Sequence, residues 1–251
     1  MTTSKAANPG PDSDDPPSYQ EQRDDPDEVQ QPGVFIMDGL FIHHESVNSA
    51  PLYQPSRVIH AQGEATHTID LERLDNRVRT LADGSPSVSM HKKHIYTLQH
   101  FPPLYPVDLQ CSMVSASNRG LGKVTLKRSP FPHSGYRASR TPPDRPDKYR
   151  SAANEIFFVV KEKRGVFEWF DADEAVVATQ DDGEGRHMLL VSVPLSRKNL
   201  DGLLALWCLW LWHVHISILR QSTGWSDFKR IMSRPTSVNN YTGFAGKGPL
   251  M

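Results

Sequence analysis

A chain of 251 residues with 28 basic and 29 acidic side chains is long enough to bury a sizeable core, and its balanced charge sets up no global field toward nucleic acid or membrane. Cys111 and Cys208 are too few for a disulfide framework and match no zinc-ligand spacing, so two reduced, buried thiols are expected. The opening MTTSKAANPGPDSDD has neither a basic n-region nor an apolar h-region, so no secretory signal is expected and a cytoplasmic location is.

Residues 1–33 hold eight acidic and two basic side chains and six prolines, with Tyr19 and Val29 as almost the only large apolar groups. Such a segment cannot bury enough surface to offset its conformational entropy, which predicts a disordered acidic tail. Within it, Pro16, Pro17, Ser18 and Tyr19 fit the PPxY pattern read by WW domains. Two adjacent prolines hold the chain near polyproline II, so little entropy is left to lose, and their rings with the tyrosine ring fill an aromatic-lined groove. The plainer reading is a proline-rich tail with an incidental tyrosine. A phosphate on Tyr19 would block docking, because the ring would no longer fit an apolar groove.

From GVFIMDGLFIHH at residue 33 onward, short apolar or alternating runs alternate with Gly, Pro, Asn and Asp clusters, the pattern of an all-β domain. The clearest strands are HIYTLQHF, VDLQCSMVSA, KVTLKRS, NEIFFVVKE, GVFEWFD, EAVVATQ and HMLLVSVPL. SPFPHSGYRASRTPPDRPDKYRSAAN, at 129–154, reads as a long exposed loop. Gly165 stands where a tight hairpin needs a positive φ, and an antiparallel meander is expected from Ile156 to Val193. No period of 20 to 50 residues recurs convincingly, so no solenoid or propeller is expected.

PLSRKNLDGLLALWCLWLWHVHISILR is the one long helix predicted, over about 197–219, with Ser196 as N-cap, Asp201 in the early turns and Arg220 near the end. Every residue from Leu203 to Trp212 is apolar. At about 100° per residue no polar stripe remains, so the helix must be enclosed on all sides. The 17 residues from Leu203 to Leu219 would measure about 26 Å, short of a hydrocarbon core of about 30 Å, and they include His213, His215 and Ser217. The upstream strands offer a better enclosure: a sheet closed around the helix gives their inward faces something to cover. The expected architecture is mainly β: an antiparallel barrel over 34–220 wrapped around one hydrophobic C-terminal helix, followed by a polar extension at 221–251. The alternative places segment 203–219 in a bilayer.

The blocks PLYQPSRVI, KKHIYTLQH, GLGKVTLKR, VFEWFDADE and LSRKNLDGLLALWCLWLW resemble those of a group of filamentous-fungal proteins. At fold level that group is similar to the tubby C-terminal and LURP-one class, which implies a β-barrel surrounding one hydrophobic helix. In tubby-like relatives a basic pocket can bind phosphoinositide headgroups, and a scramblase branch works at membranes. No lipid-binding motif aligns residue by residue.

Between Arg119 and Arg150 nine basic residues face only Asp144 and Asp147. Arg119, Lys123, Lys127 and Arg128 form the candidate patch for an anionic lipid surface. The bland reading is a solvated strand face that keeps edges soluble. His213 and His215 lie about 200° apart on the predicted helix, and the histidines of HKKH at 91–94 fall on opposite strand faces, so no metal site is expected. No G-x-S-x-G elbow or cysteine signature marks a nucleophile, and GFAGKG at 243–248 lacks the P-loop spacing. The expectation is a non-enzymatic binding or adaptor protein without cofactor. Its PPxY tail would dock a WW-domain protein, of the kind found in Nedd4-type ubiquitin ligases, and its barrel would contact an anionic phospholipid surface or a protein partner, with no role for nucleic acid.

Overall fold

The computed structural model describes residues 25–80, 85–102, 111–129, 135–140, 155–163, 165–181 and 186–222. In chain order these form β1 (Val29–Gln30), β2 (Gly33–Asp38), β3 (Phe41–His44), β4 (Pro51–Pro55), a 3-10 turn (Ile59–Ala61), β5 (Thr68–Thr80), β6 (Pro86–His100) and β7 (Cys111–Ser115). There follow β8 (Lys123–Arg128), β9 (Gly135–Arg140), β10 (Glu155–Lys163), β11 (Val166–Phe170), β12 (Val176–Asp181), β13 (His187–Val191), β14 (Leu195–Ser196) and the helix α1 (Arg197–Ser222).

Strands β2 to β13 pair antiparallel with their chain neighbours, and β13 returns to pair with β2, with Leu189 opposite Phe35, closing a twelve-stranded barrel. Closure removes every edge between these strands over their paired stretches. Eight strands leave an interior just wide enough for side chains, so twelve leave room for a helix of about 10 Å diameter. Inside it, α1 from Leu203 to Trp212 is nowhere more than 6% exposed. The barrel wall supplies the matching apolar layer: Ile69, Leu71, Leu98, Met113, Val124, Leu126, Ala138, Phe158, Val160 and Trp169 join the same core cluster. Trp210 meets Phe167 of β11 edge-on, ring centroids 4.5 Å apart. Burying each such side chain contributes about 1.5–3 kcal/mol relative to exposure. The sheath inferred from an all-round apolar helix is the architecture observed.

Hairpin chemistry agrees with the sequence at Gly165, which has φ 82° in the turn between β10 and β11, and the meander β10–β13 is present. Both cysteines are free and buried. Three regions differ. Gly135–Arg140, expected inside an exposed loop, is β9, a full barrel strand with Ala138 buried between β8 and β10. Its inward Tyr136 and Ala138 alternate with Arg137 and Ser139, too short a pattern to stand out from the proline-rich flanks. Residues 68–80 form β5, whose charges mask the inward Ile69 and Leu71. Residues 25–33, expected to belong to the disordered tail, are part of the fold: β1 pairs with β14, Val29 opposite Ser196. Past the barrel rim β5 and β6 continue as a two-stranded ribbon, from Leu74 opposite Lys92 to Thr80 opposite Pro86.

Candidate functional site

Pro16, Pro17 and Tyr19 lie outside the described residues, as do residues 223–251. The other predicted site residues are placed, and β8 separates them. Val124 and Leu126 point into the core, so Lys123 and Lys127 share the outer wall, with Arg137 of β9 opposite Lys127. Arg128 sits at the far end of β8, where its charge acts on Tyr136 and His213. Arg119 precedes β8, at the opposite end. Five residue steps from Lys123 to Arg128 span about 17 Å, so Arg119 and Arg128 cannot touch one headgroup.

Arg119 instead joins cations that the linear sequence does not bring together. At the barrel mouth where α1 enters, a small cleft of about 40 Å³ is lined by Arg73, Lys93, Arg119, Arg197 and Lys198, with Asp201 at its floor. These residues come from β5, β6, the β7–β8 turn and the first turns of α1. Pro26 closes one side of the cleft.

Residues 25–30 hold this mouth together. Arg197 N–H donates to the Glu28 carbonyl at 2.7 Å and Lys198 N–H to the Pro26 carbonyl at 2.9 Å. Asn199 N–H donates to Ser196 Oγ at 3.3 Å. These bonds satisfy three of the four N–H groups that a helix start leaves without partners. The Arg197 guanidinium also reaches the Glu28 carboxylate, at 2.6 and 2.9 Å.

Beneath the clasp lies a buried ion pair. Arg73 Nη1 donates to Asp201 Oδ2 at 2.9 Å, and the Tyr53 hydroxyl donates to Asp201 Oδ1 at 2.8 Å. Arg73 also reaches Asp75 through Nε at 2.9 Å. Burial pushes the Asp201 carboxyl up from the ordinary aspartate range, against the pull of Arg73 and the Tyr53 hydroxyl. Arg73 is driven up despite its own burial, by Asp75 and Asp201. Burial likewise drives the Tyr53 hydroxyl well up. Asp201 thus anchors the helix to β4 and β5 rather than merely serving its dipole.

At the other end of the barrel His100 Nε2 and His213 Nδ1 lie 3.2 Å apart and share one hydrogen bond. Trp212 packs against His100 and Tyr136 against His213. Burial pulls both imidazoles down to about 4, helped by His213 and Arg220 around the first and by Arg220 and Arg128 around the second. They are neutral spacers in the core. The thiols of Cys111 and Cys208 are pushed well up, the latter to about 12, by burial. Sealed, protonated thiols are poor nucleophiles.

No family model, no curated protein and no solved structure matches this chain. Among the described residues no group of three His, Cys, Asp or Glu side chains has the spacing to hold a metal ion.

Proposed function

We propose that the protein is a non-enzymatic adaptor. In this reading its barrel is a rigid scaffold of the tubby C-terminal and LURP-one kind, its basic mouth contacts an anionic phospholipid surface, and its tail offers Pro16, Pro17 and Tyr19 to a WW-domain protein such as a Nedd4-type ubiquitin ligase. The observation that carries this reading is the filled lumen. With α1 occupying the barrel interior and Leu203–Trp212 sealed, a partner has only the rims and outer wall to bind. Of those surfaces, the mouth brings Arg119, Lys93 and Lys198 together beside Arg197, with Lys123 close by on the wall. Contacts between exposed charges at a rim are screened by ions and are therefore salt-sensitive. The groups with shifted proton affinity also favour binding over catalysis, since the imidazole pair and both thiols face the core and Asp201 is spent on Arg73.

Sedimentation with vesicles containing anionic lipid tests the barrel half. The full chain should bind at low salt and release as salt rises, and Arg119→Gln with Lys198→Gln should weaken binding more than Lys127→Gln with Arg128→Gln. Equal effects of the two pairs would remove the mouth as the contact. Capture on isolated WW domains tests the tail half: Tyr19→Ala should abolish recovery, and unchanged recovery would reject the motif.

The bilayer alternative requires the barrel to release α1, which is long and apolar enough to cross a membrane but is two-thirds buried along its most hydrophobic window. Alkaline carbonate separates the two readings, because a barrel-enclosed helix leaves the protein in the supernatant.

A further inference from the structure

The strap that crosses the mouth, residues 25–32, buries none of its side chains, and Val29 is 60% exposed. It pairs with β14 at two positions, Val29 with Ser196 and Gln30 with Leu195. Its remaining hold is made of oxygen atoms on donors in the first turn of α1. Glu28 Oε2 accepts from Arg197 Nε and Nη2 at 2.9 and 2.6 Å, the Glu28 carbonyl from Arg197 N–H at 2.7 Å, and the Pro26 carbonyl from Lys198 N–H at 2.9 Å. Asp25 and Asp27 flank Pro26 and are exposed, while Pro26 itself lines the cleft with Lys93 and Arg119.

A segment without buried apolar surface, held by hydrogen bonds that face water, belongs to the low end of local stability and opens before the barrel does. The donors it covers are two N–H groups of a helix start and a guanidinium, the set that receives a phosphate group. An anion already sits on that guanidinium, in the form of Glu28. A strap that served only to cap α1 would need the two carbonyls and no charge. This one brings three carboxylates, Asp25, Asp27 and Glu28, to a rim lined by Lys93, Arg119, Arg197 and Lys198.

We propose that residues 25–30 are an internal competitor for the phosphate groups of an anionic membrane surface: the closed strap takes the donors at the mouth that a lipid phosphate would take, and binding displaces it. The inference rests on the adaptor reading, whose anionic surface meets the same mouth, and adds how that contact is regulated. A site that is open for part of the time binds more weakly in proportion to its open fraction. Closed, the strap also sets its carboxylates against the approaching surface. Open, it leaves Arg197 and Lys198 with both side chain and N–H to offer. Linkage makes the effect reciprocal, so a partner that draws the strap off the mouth raises the affinity of the mouth for the surface.

Locking the strap tests this without changing a charge. Antiparallel partners have Cα atoms about 4.5–5.5 Å apart, within disulfide range, so Gln30→Cys with Leu195→Cys closes on oxidation and opens with dithiothreitol. Cys111 and Cys208 are buried and stay out of the exchange. The measurement is sedimentation at low salt with phosphatidylcholine vesicles containing phosphatidylserine. The reduced variant should match the natural chain, and the oxidised one should bind about tenfold more weakly. In the natural chain, hydrogen–deuterium exchange over residues 25–30 should quicken about tenfold when the vesicles are added. Inorganic phosphate at about 10 mM should leave that exchange unchanged, because a free ion lacks the many linked charges of a surface. Absence of vesicle binding by the natural chain rejects the adaptor reading and this proposal together. Binding that the disulfide leaves unchanged, or exchange at 25–30 that vesicles leave unchanged, rejects the role of the strap alone. Opening by inorganic phosphate equal to that by vesicles would overturn the membrane as the displacing partner.

Discussion

The two ends of the barrel hold the same helix by opposite means. At the mouth, Asp201 is buried with a full cation, Arg73, at 2.9 Å. At the far end, His100 and His213 meet as neutral rings at 3.2 Å. The difference follows from what surrounds each. The mouth supplies Asp201 with a guanidinium and a tyrosine hydroxyl, whereas the imidazoles sit between Arg128 and Arg220, with Glu64, which is bonded to Arg220, as the nearby counter-charge. Charging an imidazole there would add a third cation to a dry site. The mouth therefore fixes the register of α1 through one directional ion pair, and the far end permits close packing around Trp212 without any charge.

Breaking the ion pair from its cationic side has the largest expected effect. Arg73→Met strands a buried carboxylate and should cost about 3–5 kcal/mol in urea denaturation at neutral pH. Because burial already pushes Asp201 up, the deficit should shrink as pH falls and the carboxyl takes a proton. Asp201→Asn keeps an oxygen for Tyr53 and Arg73 and should cost only about 1 kcal/mol. Arg73→Met combined with Asp201→Leu should return to within about 1 kcal/mol of the natural chain. Asp75, one-third exposed, can hydrate when its partner goes. Arg73→Met as mild as Asp201→Asn would mean that the mouth is not organised around this charge.

Acid probes the far end with the opposite sign. The folded imidazoles bind protons only near 4, while an unfolded histidine binds them near 6.5, so stability is complete above pH 6.5 and is lost as pH falls toward 4. Each ring should contribute a slope of about 1.4 kcal/mol per pH unit in that window. His215, also lowered, by burial and by His60 and His187, adds in the same direction. Asp201, being raised, works the other way in acid. Replacing both rings, as His100→Leu with His213→Leu, should flatten most of the slope between pH 6.5 and 4.5. A slope unchanged in that variant would place the acid sensitivity elsewhere.

The enclosed middle of α1 and the two ends of the barrel were unequally legible in the sequence. The enclosing barrel could be inferred because Leu203–Trp212 leaves no polar stripe, a constraint that any neighbour must satisfy. Gly165 and Ser196 declared a turn and a cap by local chemistry alone. The mouth did not show itself, since Arg73, Lys93, Arg119 and Lys198 stand up to 125 positions apart and only the register of β5, β6 and β8 brings them to one rim. The same holds for the far end: the sequence sets His213 only against His215 and gives His100 no role, and the contact between His100 and His213 is tertiary. The patch read as Arg119, Lys123, Lys127 and Arg128 was local in sequence, but a strand spreads such a run along its length and across two faces. Val29 was the available signal for the clasp: one apolar residue in an acidic tail, too little to reveal pairing with Leu195–Ser196.

The clasp offers the smallest test of the contrast between the ends, and it separates backbone from side chain. Glu28 and Arg197 form a close ion pair, yet Glu28 is nearly half exposed, and surface pairs contribute about 0.2–1 kcal/mol. Glu28→Ala should therefore cost less than about 1 kcal/mol, and that cost should fade in salt. Starting the chain at residue 31 removes the Pro26 and Glu28 carbonyls as well, leaving the N–H groups of Arg197 and Lys198 to water. A lost bond of this kind costs about 0.5–1.5 kcal/mol, so the truncation should cost about 2 kcal/mol and should resist salt. Starting instead at residue 25 keeps both carbonyls and should leave stability unchanged. If Glu28→Ala matched the truncation to residue 31, the mouth would be held by charge at its surface as well as beneath it. If the two differ as expected, the charge that fixes α1 is the buried one, and the strap acts through its backbone.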